Sequence, residues 1–245
     1  MLLTVLRSTV YTLLQIVITP LYFLIVLAAF PLPPLRRYRI TSGWAHLMLY
    51  LLRMICGIDY RIIGAERIPP TPSIILSKHQ SAWETLAFQQ IFPPQVWVLK
   101  KELLRVPFFG WGLAMTSPIA IDRNSGKAAL KQIVEQGKDR LKKGFWIVIF
   151  PEGTRIAPGH KGKYRIGGAW LATHTNVMVV PVAHNAGEYW GKNALLKLPG
   201  TITVSIGDPI DPTGMDPENL NTSVESWIEA EMERIGHRKP RNRVT

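Results

Sequence analysis

Residues 8–35 constrain the fold of this chain most strongly, because they contain no charged side chain and are mostly apolar. A helix needs roughly 20 apolar residues to cross the hydrocarbon core of a bilayer. Pro20 lies near the middle, where it can kink a spanning helix or form the corner of a hairpin that enters one leaflet. The stretch is too long for the core of a signal peptide, and only Arg7 precedes it. The sequence therefore predicts a membrane anchor and leaves spanning and re-entrant forms open.

Positive charge follows this anchor. Arg36, Arg37 and Arg39 come directly after it, and the positive-inside bias places the chain that follows on the cytoplasmic side. A second apolar block at residues 43–58 contains charged and polar breaks, so we interpret it as an interfacial helix rather than a second span. We expect a membrane-anchored protein whose remaining chain lies at the cytoplasmic face of the (inner) membrane.

The composition narrows the class of partner. The chain has 245 residues and a net charge of +12, with 47% hydrophobic residues. Its length allows one sizeable core, and its positive charge predicts an anionic partner. The hydrophobic fraction favours anionic membrane lipids over nucleic acid. Cys56 is the single cysteine, which excludes an intrachain disulfide framework, and no His/Cys spacing indicates a metal site.

Apolar runs and helical segments alternate after the second block. Strands are predicted near residues 59–63, 73–77, 95–99, 118–121, 145–150, 177–182 and 201–206. Helices are predicted near residues 83–91, 108–115, 125–142, 166–174 and 223–235. This order indicates an α/β fold with a mixed, largely parallel sheet flanked by helices.

The chain therefore divides into three predicted parts. N-terminal membrane-anchoring helices occupy residues 1–58, and the α/β domain occupies residues 59–236. A basic tail follows at residues 237–245. This tail is either a solvated end or a further contact with anionic lipid, since basic residues near a membrane surface contribute about 1 kcal/mol each.

A histidine and a carboxylate follow the second predicted strand. His79 and Glu84 are five positions apart, so one regular helix would place them on different faces. They can meet only if His79 precedes the helix and Glu84 reaches back from its first turn. Glu84 would then fix the imidazole tautomer of a general base. The alternative is a surface histidine beside a helix-start glutamate. Ser81 is a poor nucleophile candidate, because no Gly-x-Ser-x-Gly elbow surrounds it.

Polar clusters also follow other predicted strands. Residues 150–155 read Phe-Pro-Glu-Gly-Thr-Arg, and the glycine allows a sharp turn whose N–H groups can face an anion. Arg123, in Ile121-Asp122-Arg123, and Arg155 could together hold one phosphate. Asp122 could instead pair with either arginine. Lys100 is a further phosphate candidate or a solvated charge.

In this order and spacing, the blocks resemble the glycerolipid acyltransferase family. The family's His-x4-Asp motif is matched by His79 to Glu84, with glutamate in place of the usual aspartate. Its Ile-Asp-Arg, Phe-Pro-Glu-Gly-Thr-Arg and Val-Pro-Val motifs are matched at residues 121–123, 150–155 and 180–182. The resemblance spans about residues 40–210.

The resemblance implies transfer of a fatty acyl group from acyl-CoA or acyl carrier protein to the sn-2 hydroxyl of lysophosphatidic acid, which gives phosphatidic acid. His79 and Glu84 would be catalytic, as base and orienting acid. Substrate-binding residues would be Lys100, Arg123, Glu152, Gly153, Thr154 and Arg155, with an N–H near Gly153 at the oxyanion and Glu152 bracing the turn. No metal or redox cofactor is expected, because a thioester is already activated. Two alternatives stay open: another acceptor such as glycerol-3-phosphate or another lysolipid, and a non-catalytic, basic membrane-binding protein.

Overall fold

The computed structural model describes residues 1–122 and 125–236. Its α-helices are α1 Leu2–Ala28, α2 Pro34–Leu51, α3 Trp83–Ile91, α4 Phe109–Ala114, α5 Lys127–Lys142, α6 Gly167–Thr175 and α7 Pro217–Ile235. Its strands are β1 Ile58–Ile63, β2 Ile74–Ser77, β3 Gln95–Lys100, β4 Ile119–Ile121, β5 Trp146–Ile149, β6 Val179–His184 and β7 Gly200–Ile206. A π-helical turn, Leu52–Cys56, follows α2, and short 3-10 turns occur at Ala65–Arg67, Lys101–Arg105 and Ala186–Glu188.

The seven strands form one sheet in the order β1-β7-β6-β2-β5-β3-β4. All neighbours pair in parallel except β6 and β7, which are antiparallel. Every side chain of β2, β5 and β6 is buried, as expected for central strands covered on both faces. The predicted α/β fold with a mixed, largely parallel sheet is confirmed.

Helices cover both faces of the sheet. One hydrophobic cluster joins α2 and α3 to the sheet, with Met48, Leu52 and Phe88 fully buried. The other cluster joins α5, α6 and α7 to the opposite face, with Leu171 and Ile228 fully buried. The resulting three layers leave the strand ends free to carry polar side chains.

Helix α1 has two different faces. It is the one helix in the described residues that is long and apolar enough to cross a membrane, with a mean hydropathy of 2.2. Most of its leucines are exposed, whereas Ser8, Tyr11 and Val26 are buried against the rest of the chain. The Tyr22 hydroxyl also donates to the carbonyl of Ile40 in α2, at 2.8 Å. One face of α1 therefore packs on the protein along much of its length.

The turn between the first two helices lies at residues 29–33, and α1 continues through Pro20. The arginine cluster opens α2, where Arg37 donates to the carbonyl of Met115 at 2.8 Å and to the Ser117 hydroxyl at 3.2 Å. Ala45 and Met48, in the block interpreted as an interfacial helix, are fully buried in the core. An apolar helix can serve a protein core or a lipid surface, and periodicity alone does not distinguish them. The boundary at residue 58 stays a prediction.

The predicted strands all occur, with ends within two residues of the observed ones. The largest difference among the helices is α7, predicted from residue 223 and observed from Pro217. Proline is favoured in the first turn of a helix, and the Asp216 carboxylate caps α7 by accepting the Asn219 N–H at 2.7 Å. The predicted helix therefore began too late, because the first turns of α7 are polar. The basic tail at residues 237–245 lies outside the described residues.

Candidate active site

Three adjacent strands deliver polar side chains to the same edge of the sheet. Strands β6, β2 and β5 are parallel neighbours, so their carboxyl ends meet there. His184 ends β6, His79 follows β2 by two residues, and Phe150 follows β5 directly. The two sequence clusters, separated by about seventy residues, therefore lie side by side.

The His79 ring and the Glu84 carboxylate meet. Helix α3 begins at Trp83, and Glu84 reaches back from its first turn to His79 Nδ1, at 2.7 Å from Oε1. Oε1 also accepts the N–H groups of Gln80 and Ser81, at 3.0 and 2.9 Å. Because a carboxylate accepts the proton of Nδ1–H, the Nε2 atom is left to accept another proton. The Phe150 ring stacks on the imidazole at 3.9 Å between centroids and holds its plane.

The Glu84 carboxylate is fully buried yet ionised. Burial by itself raises its pKa. The nearby His184 ring, the bond from His79 and the Ser81 N–H together outweigh burial, so the pKa of Glu84 lies below its ordinary value. The Ser81 hydroxyl accepts the Trp83 N–H at 3.1 Å, so this hydroxyl belongs to the helix start.

The backbone of His79 is held on both sides. Its N–H donates to Glu152 Oε2 at 3.0 Å, and its carbonyl accepts the Ile156 N–H at 2.8 Å. Both partners belong to the turn that follows β5. The side chain of Glu152 is buried behind His79 and does not line the cavity in front of it. Glu152 thus contacts the backbone of the histidine, and its predicted contact with substrate stays a prediction.

A buried lysine neutralises the charge of the Glu152 carboxylate. Lys78 is 1% exposed, and its ammonium donates to Glu152 Oε1 at 2.7 Å and to Glu229 Oε1 in α7 at 2.8 Å. The Tyr164 hydroxyl also donates to Glu229, at 2.9 Å. Burial raises the pKa of Glu152, and the Lys78 charge opposes that shift. Gly162 brings its N–H to 3.3 Å from Glu152 Oε1, where a Cβ would lie 2.9 Å from that oxygen.

His184 also lies near Glu84, with Nε2 at 4.0 Å from Oε1. It is fully buried, donates from Nε2 to the Lys78 carbonyl at 2.9 Å, and accepts the Ala186 N–H on Nδ1 at 3.4 Å. This pattern requires a neutral ring, since only a neutral imidazole has an acceptor nitrogen. Burial lowers the pKa of His184 and outweighs the opposing effect of Glu84, which agrees with a neutral ring.

A largely apolar cavity of about 320 Å³ opens in front of His79. His79 and Arg155 contribute to its wall. The apolar lining comes from α1 to α4, β3 and the chain after them, and includes Phe23, Val26, Trp44, Leu86, Trp97, Leu99, Leu113 and Phe150. The cavity therefore places a possible base, a guanidinium and a lipid-compatible surface together.

The remaining predicted binding residues have separate positions. Lys100 ends β3 and is exposed, while Lys101 forms an ion pair with Asp122 at 2.6 Å. Arg123 lies outside the described residues. The Thr154 hydroxyl is exposed and accepts from Lys192 at 3.4 Å.

The turn itself has the expected backbone form. Gly153 has a φ of +68°, which glycine adopts without strain. Its N–H donates to the Phe150 carbonyl at 3.0 Å and is engaged within the turn. An oxyanion donor near Gly153 therefore stays a prediction that concerns the neighbouring N–H groups.

Sequence reasoning missed Lys78, His184, Glu229 and Lys192. Two of these carried a usable signal: Lys78 and His184 occupy strand ends at the edge where the other polar clusters were predicted. Glu229 and Lys192 reach the site from distant segments, and no local pattern marks them. Among the described residues, no group of three or more His, Cys, Asp or Glu side chains could hold a metal ion.

Comparison with known proteins gives consistent matches. The family model described as acyltransferase matches residues 59–185. A 1-acyl-sn-glycerol-3-phosphate acyltransferase from Pseudomonas aeruginosa is 47% identical over 222 residues, covering 86% of each chain. An enzyme of the same description from Cocos nucifera is 30% identical over 225 residues, covering 91% of this chain and 72% of its own length.

A solved structure shares the fold. The crystal structure of a 1-acyl-sn-glycerophosphate (LPA) acyltransferase from Thermotoga maritima superposes with a TM-score of 0.78 at 22% identity. The match covers 96% of this chain and 97% of the other. Helices, sheet and N-terminal segment are therefore arranged similarly in both proteins.

Proposed function

The chain belongs to the acyltransferase family, and on that premise we propose that it transfers a fatty acyl group from a thioester to the sn-2 hydroxyl of 1-acylglycerol-3-phosphate, giving phosphatidic acid. The observation that carries this proposal is the His79–Glu84 pair at the wall of an apolar cavity that also contains Arg155. A site that acylates a lysophospholipid needs three elements: a base for the hydroxyl, a cation for the phosphate, and an apolar surface for an acyl chain.

The chemistry follows from the arrangement of the ring. As the hydroxyl oxygen attacks the thioester carbonyl carbon, its proton passes to His79 Nε2, and Glu84 stabilises the imidazolium through Nδ1. The carbon–sulfur bond then breaks, and the proton passes from the imidazolium to the departing thiolate. A positioned base contributes typically 10²–10⁴-fold to such a rate. No covalent enzyme intermediate is needed.

Arg155 is the candidate phosphate ligand that lines the same cavity as the base. Lys192, which donates to Thr154 in the same turn, is a second candidate that the sequence did not indicate. Lys100 and Arg123 keep their predicted roles as further ligands. We propose acyl-CoA or acyl carrier protein as the donor, with no metal or redox cofactor, and attachment of α1 to a membrane as the route by which the lipid acceptor arrives.

The test is formation of phosphatidic acid. Detergent-purified protein is incubated with 1-acylglycerol-3-phosphate and either a long-chain acyl-CoA or an acylated carrier protein, with glycerol-3-phosphate as a comparison acceptor. We expect product with the first acceptor, and a loss of roughly 10²-fold or more in kcat in the His79→Ala variant. Lys161→Ala, in an exposed ion pair with Glu225, is the matched control and should keep full activity. Product from glycerol-3-phosphate alone, or equal rates in His79→Ala, would overturn the proposal.

A further inference from the structure

Exposed apolar side chains outside α1 are not scattered over the surface. In the part of the chain that the structure describes, the large ones after the α1–α2 corner fall in three segments: residues 50–54, 103–111 and 195–198. None is on α5, α6 or α7. Contiguous exposed apolar surface on a folded domain usually marks an interaction site.

Each of these three segments adjoins α1. The π-helical turn after residue 51 packs on α1, and its Cys56 thiol lies 3.7 Å from the Arg7 carbonyl. The Trp111 ring contacts Phe23 of α1 at 6.1 Å between centroids. The third segment is bonded to the N-terminal half of α1. The exposed apolar segments of the domain therefore lie next to the anchor.

The third segment is held by a buried lysine. The Lys197 N–H donates to the Ser8 hydroxyl at 2.9 Å, and its ammonium donates to the Thr12 hydroxyl at 3.1 Å. The same ammonium lies over the Tyr11 and Trp190 rings, at 5.1 and 4.8 Å from their centroids. The loop at residues 191–198 is thus fixed to α1 by backbone and side-chain contacts.

The leucines around this lysine point the other way. Leu195, Leu196 and Leu198 are 51%, 40% and 39% exposed, whereas Lys197 between them is 3% exposed. This inverts the usual pattern of a surface loop, in which lysine is solvated and leucine is covered. Lys192, at the start of the loop, donates to Thr154 beside the candidate active site. The loop therefore bridges the anchor helix and the site.

We propose that residues 191–198 are a second lipid contact, in which Leu195, Leu196 and Leu198 enter the same leaflet as α1. A membrane rather than a protein partner is the occupant because these leucines continue the apolar surface that begins on α1, and because the chain carries a net charge of +12, suited to anionic lipid. This inference rests on the membrane attachment used in the proposed function. Its consequence is that the part of the protein around Thr154 and Lys192, next to the candidate active site, faces lipid.

The test reads lipid contact at single positions. In a Cys56→Ala background, an environment-sensitive fluorophore is attached to Leu13→Cys on the exposed face of α1, to Leu195→Cys, or to Ser223→Cys on the exposed face of α7. The full chain is reconstituted in phosphatidylethanolamine–phosphatidylglycerol vesicles, with and without lipids carrying a quencher on the acyl chain. We expect a loss of fluorescence at residue 195 comparable to that at residue 13, and none at residue 223.

The outcomes distinguish lipid contact of the loop from lipid contact of α1. Quenching at residue 13 alone would overturn the loop contact while leaving the attachment of α1 intact. Quenching at neither position would overturn both. Equal quenching at all three positions would also overturn the loop contact, because residue 195 would then be no closer to lipid than the exposed face of α7. None of these readings depends on acyl transfer, so failure of the proposed reaction is distinguishable from failure of this inference.

Discussion

His79 is positioned through four separate contacts, and each acts on a different part of the residue. Glu84 takes Nδ1, Phe150 holds the plane of the ring, Glu152 accepts the N–H, and Ile156 donates to the carbonyl. The pairing with Glu84 could be predicted because it is local to one loop and one helix turn. The link from Lys78 to Glu229 could not, because 151 positions separate the two residues and only the folded chain brings them together.

Removal of the Lys78 charge should destabilise the protein strongly. Lys78→Met would leave Glu152 and Glu229 facing each other without their shared cation, which typically costs about 3–5 kcal/mol for a buried pair. We expect the midpoint of thermal unfolding in detergent to fall by roughly 10 °C. The remaining folded protein should show a lower kcat with little change in KM for the thioester, since the affected group is the backbone of His79.

A double variant distinguishes charge pairing from packing. Lys78→Met/Glu152→Gln removes both charges of the closest pair but keeps an acceptor for the His79 N–H. We expect it to recover a large part of the lost unfolding temperature. If Lys78→Met alone unfolded at the wild-type temperature, the lysine would not be the counter-ion that we describe.

The lowered pKa of His184 predicts a pH dependence of stability. The unfolded ring has the ordinary value of 6.5, whereas the native ring binds its proton only at lower pH. Below pH 6.5 the unfolded state therefore binds more protons, and stability falls as the pH is lowered. We expect the unfolding temperature to drop between pH 7.5 and 5.5, and to drop less in His184→Gln, which keeps a donor for the Lys78 carbonyl. His174→Gln, on the surface, should retain the wild-type slope. Equal slopes in all three proteins would refute a neutral, buried His184.

At the scale of elements, the strands were predictable because each is a short apolar run bounded by glycine, proline or polar residues. The pairing was not, because β1 joins β7 and β6 joins β2 across long stretches of chain. The burial of Ala45 and Met48 of α2 in the core could not be predicted either, because the apolar residues of a core helix resemble those of an interfacial helix. The cavity is a product of such long-range packing: α1 and α4 meet across it through Phe23 and Gly112.

The contact between α1 and α4 allows a test of where the acyl chain binds. A Cβ at Gly112 would lie 3.7 Å from the Phe23 ring, an ordinary contact, so Gly112→Ala should leave transfer unchanged. Gly112→Leu should fill the cavity beside Phe23 and shift the preference towards shorter acyl thioesters. Competition between donors of different chain length measures this shift. An unchanged preference in Gly112→Leu would place the acyl chain elsewhere.

At the scale of the whole molecule, α1 serves the core and the surface together. Tyr11 and Val26 are buried against the domain, while Leu6, Leu13, Leu21 and Leu24 are exposed. Composition indicated the anchor, but the alternation of faces along one apolar helix depends on a partner that appears only in the fold. The net positive charge and the exposed apolar segments next to α1 are likewise properties of the whole molecule.

Changes to the two faces of α1 should have different effects. Deletion of residues 1–29 would expose the core under Tyr11 and Val26, so we expect an unstable, inactive protein even in detergent. Serine at Leu6, Leu13, Leu21 and Leu24 should leave the unfolding temperature in detergent nearly unchanged and weaken co-flotation with vesicles. A soluble, fully active deletion variant would show that α1 is not part of the folded unit.

Phe23 and Val26 also set an order of events during biosynthesis. A ribosome releases α1 well before α4, so the wall of the cavity stays incomplete until the later helix has docked on the earlier one. Folding of the anchor against the domain is thus a step of enzyme maturation. A nascent chain whose first helix is displaced therefore lacks the part of the cavity wall that Phe23 and Val26 supply.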